Sequence, residues 1–256
     1  MLYPNETLEE LCRVNLHVIQ AKNGYRFSLD PVLLSHFAEI PAGSKVADLG
    51  TGCGIIPLLL SKPDRTRTIV GIERQSAMVG RALRSVTLNK LDEQIEIVQA
   101  DIRQLPERFV RGCFDVVVSN PPYYPVGSGK LPDDEERNFA RHELAGGLVD
   151  FLRAAHTLLK PGGCFYIVFV AERLPELLAE MCCLRLAPKR MRSVHSRDGE
   201  PARMVLVEGR KDGRSGMVVD APLVVYTGPG RAYSEEVLAM YGKVMIRDEG
   251  AVMKGP

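Results

Sequence analysis

The stretch Val46-Ala-Asp-Leu-Gly-Thr-Gly-Cys-Gly54 leads from an apolar, strand-like segment through a glycine-rich turn into a helical pattern. Its glycines are Gly50, Gly52 and Gly54. Glycines at alternate positions let the backbone turn tightly and let a ligand approach it closely. A dinucleotide fingerprint reads Gly-x-Gly-x-x-Gly, whereas here Ile55 occupies the place of the third glycine. Asp48 precedes the glycines, where it would repel a pyrophosphate. The stretch therefore predicts a cofactor loop for a ligand that carries an ammonium or sulfonium group.

Working outward, the region from Lys45 to about Arg210 alternates β-rich runs with helical patterns. This alternation indicates βαβ units and hence a parallel sheet with helices on both faces. The predicted strands are Lys45–Leu49, Thr68–Glu73, Gln94–Ala100, Phe114–Ser119, Cys164–Ala171, Leu184–Val194 and Ala202–Arg210. No helical pattern separates the last two runs, so they should pair as an antiparallel hairpin. The sequence predicts an α/β, Rossmann-like fold with a mostly parallel seven-stranded sheet and a terminal antiparallel hairpin strand.

Outside this region we expect an N-terminal strand and helix segment over residues 1–43 and a C-terminal extension over residues 213–256, flanking a core domain over residues 44–212. The run Leu16-His-Val-Ile19 predicts a short strand. Asp30 followed by Pro31 predicts the start of a helix, with the Asp30 carboxylate as its cap and proline at the first helical position. That helix should extend to about Glu39.

Two further acids follow the glycine loop at the ends of successive predicted strands. Glu73 ends the second strand, 23 residues after Gly50. An acid at that position can bind both hydroxyls of a ribose. Asp101, followed by Ile102, ends the third strand and offers a carboxylate to an adenine amino group. A glycine loop, a ribose acid and an adenine acid in this order predict a crevice that binds a nucleoside.

A second motif, Asn120-Pro-Pro-Tyr123, follows the fourth predicted strand directly. An exocyclic or amide nitrogen is a poor nucleophile, because its lone pair is delocalised. Two acceptors on its protons, the Asn120 side-chain oxygen and the Pro121 carbonyl, would free that lone pair and stabilise the developing positive charge. Pro122 stiffens the turn, and the Tyr123 ring would stack on a planar substrate through its face rather than its hydroxyl. The released proton can leave to water, and the chemistry needs no metal.

Composition narrows the classes of protein. Hydrophobic residues make up 45% and charged residues 25% of the 256 residues, which is ordinary globular usage and excludes collagen, a coiled coil or a mainly disordered chain. We expect a cytoplasmic protein, because the N-terminus has no secretory pattern and the longest apolar runs are far shorter than a membrane span. The six cysteines contain no Cys-x-x-Cys pair and are expected to be reduced thiols rather than disulfides or a metal site.

The net charge of +1 conceals a local cluster of cations. Between Arg185 and Arg197 the chain carries five basic residues and no acid. Such a cluster is typical either of a site for a polyanion or of a solvated face. The candidates for phosphate contacts are Lys189, Arg190, Arg192 and Arg197.

The glycine loop with its two following acids resembles the S-adenosylmethionine site of class I methyltransferases. The Asn120-Pro-Pro-Tyr123 motif resembles that of methyltransferases that act on adenine N6, cytosine N4 or glutamine N5. Over nearly its whole length the chain resembles the bacterial tRNA(Val) adenine-N6 methyltransferases. This likeness rests on both motifs, on Gln20-Ala-Lys-Asn-Gly-Tyr-Arg-Phe-Ser-Leu-Asp-Pro-Val-Leu-Leu34 and on Ala140-Arg-His-Glu143, with shorter matches at Ala221–Tyr226 and Tyr233–Val237.

The resemblance implies a cytoplasmic enzyme that transfers a methyl group from S-adenosylmethionine to N6 of an adenine in tRNA, namely adenine-37 of tRNA(Val). It also implies that Arg26 and Phe27 close over the methionine end of the cofactor. The loop at Gly127–Arg141 would take part in substrate binding. A glutamine N5 protein methyltransferase and another RNA or DNA amino methyltransferase, acting on rRNA adenine N6 or guanine N2, are the alternatives.

Overall fold

A computed structural model describes residues 2–11, 15–22, 28–61, 64–109, 111–123 and 147–242 of the chain. Its strands are β1 Glu6–Leu11, β2 Leu16–Ala21, β3 Lys45–Leu49, β4 Thr68–Glu73, β5 Ile95–Gln99, β6 Phe114–Ser119, β7 Leu159–Val170, β8 Leu186–His195, β9 Ala202–Lys211, β10 Val218–Val219, β11 Leu223–Val224, β12 Tyr226–Thr227 and β13 Ala232–Tyr233. Its helices are α1 Asp30–Phe37, α2 Ile55–Ser61, α3 Ser76–Leu88, α4 Leu148–Leu158, α5 Leu174–Cys183 and α6 Glu235–Met240.

The central sheet has the order β10, β8, β9, β7, β6, β3, β4, β5, and β11 also pairs with β8. Among its seven long strands, β9 alone runs antiparallel to its neighbours β7 and β8, and the other pairs are parallel. The predicted mostly parallel sheet with an antiparallel hairpin strand is therefore confirmed. The structure adds β10 and β11, which lie parallel to β8 at the sheet edge. Two-residue strands are too short to show an alternating pattern in a sequence.

The helices cover both faces of this sheet. The first face packs against α1, α2 and α3, around residues such as Val46, Val118 and Val168. The second face packs against α4 and α5, around residues such as Ile72 and Phe165. Because both faces are buried, the central strands read as continuous apolar runs rather than as alternating ones. No helix in the described part of the chain is long and apolar enough to cross a membrane.

An antiparallel hairpin of β1 and β2 precedes the sheet domain. Its free edge is held by side chains of α3 rather than by another strand. The Ile19 amide donates to the Ser85 hydroxyl at 3.0 Å, and the Asn89 side chain bonds both the amide and the carbonyl of His17. The sequence predicted β2 but not β1, since the acid-rich run of β1 lacks the usual strand composition.

Helix α1 begins close to the predicted place but with a different cap. Asp30 is its first residue and Pro31 stands in the first turn, while Leu29 holds the cap position without a side-chain hydrogen bond. The prediction that the Asp30 carboxylate caps the helix is wrong. That carboxylate accepts instead from the Ser28 hydroxyl at 2.7 Å and from the hydroxyl of Tyr123 at 2.9 Å.

Replacement of Gly71 in β4 by alanine should destabilise the fold. A Cβ there would lie 2.8 Å from Thr51 Oγ1 and 2.9 Å from Ile97 Cδ1, which is overpacking. We expect the free energy of unfolding in urea to fall by about 1–3 kcal/mol. Gly80→Ala is the matched control, because no atom lies within 4 Å of a Cβ at that position in α3. The control should gain about 0.5–1 kcal/mol. Equal stability of the two variants would contradict the packing described.

Candidate functional site

The candidate site is a cleft at the edge of the sheet where β3, β4 and β6 end. The order of strands reverses between β3 and β6, and in open α/β sheets ligands bind at such a switch point. The cleft encloses about 860 Å³ between atoms, counting the part that opens to solvent. The described residues that line it include Gln20, Pro31, Gly50, Thr51, Gly52, Cys53, Glu73, Arg74, Gln75, Met78, Ala100, Ile102, Asn120, Pro122 and Phe151.

The glycine loop forms one wall of the cleft. Gly50 has φ +73°, and its amide and that of Thr51 donate to the Ile72 carbonyl at 2.9 and 3.1 Å. A Cβ on Gly50 would lie 3.2 Å from the Phe151 ring, so glycine is required there for two reasons. Gly50 and Gly52 line the cleft, whereas a Cβ on Gly54 would meet Ala82 of α3 at 3.3 Å. Of the three predicted glycines, Gly54 therefore serves the packing of helices.

Glu73 lies at the end of β4 and faces the cleft, although it is only 6% exposed. Its two carboxylate oxygens accept from the amides of Gly52 at 3.0 Å and Gln75 at 2.8 Å. Burial raises the pKa of Glu73, and these backbone hydrogen bonds oppose the rise. The amides fix the carboxylate in place at the wall. Two carboxylate oxygens offer about four lone pairs, so the Glu73 carboxylate can still accept from a ligand.

Asp48 lies beneath the loop and is fully buried at 0% exposure. Neither of its oxygens has a hydrogen-bond partner in the described part of the chain. Burial raises the pKa of Asp48 to about 7; the nearby hydroxyl of Thr51 opposes the rise, and the neighbouring charge of Glu73 adds to it. A buried carboxylate without a partner is costly, so a positively charged group at the loop would stabilise it.

Asp101 differs from both of these acids. Its carboxylate accepts from Arg103 at 2.6 and 2.9 Å and lies 3.7 Å from the Arg74 guanidinium. The Arg103 hydrogen bonds lower its pKa to about 2. Ile102 and Ala100 line the cleft beside it and offer an apolar surface to a flat ring. An adenine amino group would share the Asp101 carboxylate with Arg103.

The second motif meets the same cleft at the end of β6, where Asn120 and Pro122 line it. The Tyr123 ring packs edge-to-face on Phe169, with centroids 6.0 Å apart and planes at 77°. The Tyr123 carbonyl accepts from Arg173 at 2.7 Å. The Tyr123 hydroxyl donates to Asp30 and lies in hydrogen-bond contact with the side-chain oxygen of Asn120. Pro121 follows Asn120 and is buried. The structure thus brings the two predicted motifs into one cavity.

The sequence analysis did not predict several lining residues as part of the site. Met78 comes from α3 and Phe151 from α4, and Gln20 of β2 begins the Gln20–Leu34 stretch but was given no role there. Their positions depend on how distant elements pack, which no local pattern reveals. Arg26 and Phe27, the predicted lid contacts, lie outside the described residues, as does the loop at Gly127–Arg141.

Two of the three cations of β8 are paired with acids of other elements. Arg190 pairs with Glu39 at 2.9 Å and Glu208 at 3.2 Å, and Arg192 pairs with Glu236 at 2.5 Å. Lys189 donates to the Arg214 carbonyl at 2.6 Å.

Arg197 donates to the Gly228 carbonyl at 3.1 Å and lies 3.4 Å from a carboxylate oxygen of Glu200. The run contains no acid of its own, but acids from elsewhere in the chain pair with Arg185, Arg190, Arg192 and Arg197. Among the described residues, Lys189 bonds backbone carbonyls instead. A phosphate-binding role of Lys189, Arg190, Arg192 and Arg197 stays a prediction.

The comparisons with known proteins agree with this architecture. Residues 40–198 match the family model described as a methyltransferase domain. A tRNA1(Val) (adenine(37)-N6)-methyltransferase of Bacteroides thetaiotaomicron is 32% identical over 193 residues, which cover 72% of this chain and 77% of that relative. A relative of the same name from Aeromonas salmonicida is 26% identical and is aligned over 88% of this chain and 92% of its own. The crystal structure of a predicted O-methyltransferase from Agrobacterium tumefaciens has the same fold, with a TM-score of 0.67, 22% identity and coverage of 83% and 95%.

The raised pKa of Asp48 has a consequence for stability. Between about pH 4 and pH 7 Asp48 retains in the folded state a proton that it has lost in the unfolded state, so its contribution to the free energy of unfolding should fall as pH rises. The slope is at most about 1.4 kcal/mol per pH unit. Asp48→Asn should remove this contribution in urea titrations across that range, and Asp198→Asn, at an exposed turn, should leave it. Because the raised pKa of Glu73 adds a slope of the same sign, the assignment is refuted if Asp48→Asn and the wild type show the same slope.

Proposed function

Because this chain belongs to the tRNA1(Val) (adenine(37)-N6)-methyltransferase family, we propose that it transfers a methyl group from S-adenosylmethionine to N6 of an adenine in tRNA, with adenine-37 of tRNA(Val) as the target. One observation carries the proposal at the level of structure. Asn120 and Glu73, from two different motifs, line the same cleft. Asn120, which would activate the amine, and Glu73, which would bind the ribose hydroxyls, thus face the same cavity. We further propose a cytoplasmic location, where tRNA is modified.

The cleft has the donors and acceptors that this cofactor requires. The buried Glu73 carboxylate would accept from the ribose hydroxyls, and the backbone at Gly50 and Gly52 permits close approach. Ile102 would contact the adenine ring, with Asp101 beside it at the rim. Asp48 does not line the cleft and is fully buried beneath the loop, so it would act on the cationic end through its charge rather than by direct contact. When bound, the cofactor supplies an electrophilic methyl group on a sulfonium, which is already a good leaving group.

The chain's own contribution is to orient and activate the amine. The Asn120 side-chain oxygen and the Pro121 carbonyl would accept the two amine protons, which turns the nitrogen lone pair toward the methyl group. The Tyr123 ring, fixed against Phe169, would present a face to the base. The same two acceptors would stabilise the positive charge that develops on the nitrogen. The amine then loses its proton to water.

The tRNA is the proposed partner, and its target base lies in a loop that is easily unstacked. The hairpin turn between β8 and β9 lies at the same sheet edge as Asn120, because β8, β7 and β6 run in one direction. We propose that RNA approaches over this edge. Among the basic residues considered, Arg197 lies closest to it, at the start of the turn.

Glu73→Ala should weaken the binding of S-adenosylmethionine roughly 10- to 100-fold, since a hydrogen bond to a charged group contributes about 1.5–3 kcal/mol. Isothermal calorimetry measures this directly. Glu96→Ala, which removes an exposed acid of β5, is the matched control and should bind as the wild type does. Unchanged affinity in a folded Glu73→Ala protein would remove Glu73 from the cofactor site.

The reaction is tested with radiolabelled S-adenosylmethionine and bacterial tRNA, followed by mass spectrometry of nucleosides. We expect the wild type to form N6-methyladenosine. Asn120→Ala should lower turnover roughly 100-fold or more, as for the loss of one transition-state acceptor, with little change in cofactor affinity. Label in another nucleoside, or in protein glutamine instead of RNA, would exclude the proposed reaction.

A further inference from the structure

The hydroxyl of Tyr123 joins two parts of the chain that are 93 residues apart. It donates to Asp30 Oδ2 at 2.9 Å, and it also lies in hydrogen-bond contact with Asn120 Oδ1. Asp30 is the first residue of α1, and its neighbour Pro31 lines the cleft. The start of α1 therefore touches both the cofactor cleft and the catalytic motif.

Two hydroxyl groups in the described part of the chain, those of Ser28 and Tyr123, donate to the Asp30 carboxylate. The Ser28 hydroxyl donates to Asp30 Oδ2 at 2.7 Å and accepts from the Asp30 amide at 3.4 Å. An ionised carboxylate accepts only, and it is a stronger acceptor than a neutral amide oxygen. The proton of the Tyr123 hydroxyl is therefore directed to Asp30.

A hydroxyl has one proton, so it cannot also donate to the Asn120 oxygen. It can, however, accept a hydrogen bond from an amide NH₂ group. A rotation of the Asn120 side-chain amide by 180° exchanges its nitrogen and oxygen without moving any other group. In that orientation Asn120 Nδ2 donates to Tyr123, and Tyr123 donates to Asp30. Each of the three side chains then has a hydrogen-bond partner of the matching kind, a donor facing an acceptor.

We propose that Asp30 is a positioning residue for methyl transfer, which acts through the Tyr123 hydroxyl to set the orientation of the Asn120 amide. With Nδ2 engaged by the hydroxyl, Asn120 Oδ1 is left to accept a proton of the substrate amine. This inference rests on the proposed function and adds a role for α1. It also revises the expectation that only the ring of Tyr123 matters.

The geometry allows the hydroxyl to be separated from the ring. The ring is held by Phe169, and the Tyr123 backbone is held by Arg173. Neither contact involves the hydroxyl, so Tyr123→Phe should retain the stacking face. Asp30→Ala removes the acceptor, whereas Asp30→Asn retains an oxygen that can accept from Tyr123. Ser28→Ala removes another donor to the same carboxylate and leaves the Asp30–Tyr123–Asn120 chain intact.

The test is steady-state methylation of tRNA by these variants and by the double variant Asp30→Ala with Tyr123→Phe. We expect Asp30→Ala and Tyr123→Phe each to lower kcat about 10-fold, the loss of one hydrogen bond, with KM for S-adenosylmethionine unchanged. The double variant should be no slower than either single variant, because both substitutions break the same series of hydrogen bonds from Asp30 through Tyr123 to Asn120. Asp30→Asn should recover only part of the activity, because its amide oxygen is a weaker acceptor than the carboxylate, and Ser28→Ala should stay within about twofold of the wild type.

Independent losses that multiply in the double variant would show that Asp30 acts by another route, and full kcat in Tyr123→Phe would overturn the proposal. Thermal melting identifies variants that do not fold. If Asp30→Ala does not fold, the double variant Asp30→Asn with Tyr123→Phe is compared with its two single variants instead.

A second readout needs no substrate. The ¹⁵N-labelled side-chain NH₂ signals of Asn120, assigned from their absence in Asn120→Ala, should shift in both Asp30→Ala and Tyr123→Phe but not in Ser28→Ala. Signals that do not shift overturn the orientation argument even in an active enzyme. A wild type that methylates no tRNA adenine, with the shifts present, refutes the proposed function and leaves the positioning role standing.

Discussion

The pairing of β3 with β6 fixes where the glycine loop and the Asn120-Pro-Pro-Tyr123 motif leave the sheet. Leu49 and Ser119 are partners in the register, and the Ser119 hydroxyl donates to the Leu49 carbonyl at 2.9 Å. Both residues are fully buried. The glycine loop starts at the residue after Leu49, and the catalytic motif starts at the residue after Ser119. Two segments separated by 70 residues in the chain therefore leave the sheet side by side, and a slip of one residue in this register would separate them.

The site is built around buried charge that the fold alone does not fully satisfy. Glu73 has two backbone donors, whereas Asp48 has no partner for either oxygen among the described residues. Asp101, at the end of the neighbouring strand, is already paired with Arg103. The same residue type thus has a raised pKa in one place and a lowered pKa in another. The unsatisfied acids are the ones that gain most from a cationic, hydroxyl-bearing ligand, as is common where function conflicts with stability.

Much of this arrangement could be predicted from the sequence. The glycine loop, Glu73 and Asn120 each follow an apolar strand directly, and parallel strands bring such positions to one edge. The hairpin of β8 and β9 follows from two β-rich runs with no helix between them. The capture of Asp101 by Arg103 and the contact of Gly54 with α3 depend on side-chain directions, which the pattern of residue types does not specify. The strand β1 was missed because its run is rich in acids, one of which, Glu6, is buried against arginines of α3.

The sequence is least informative about ion pairs, because the acid that pairs with a given arginine comes from a distant part of the chain. The side chains of Arg190 and Arg192 are only 23% and 20% exposed, and each is paired with acids from other elements. A phosphate would have to displace these partners, at a cost that exposed ion pairs do not impose. Arg197 is 35% exposed and lies at the start of the hairpin turn, on the edge where Asn120 ends its strand. If RNA contacts this run, a phosphate would displace fewer buried partners at Arg197 than at Arg190, because Arg190 and Arg192 hold α1 and the segment after β9 against β8.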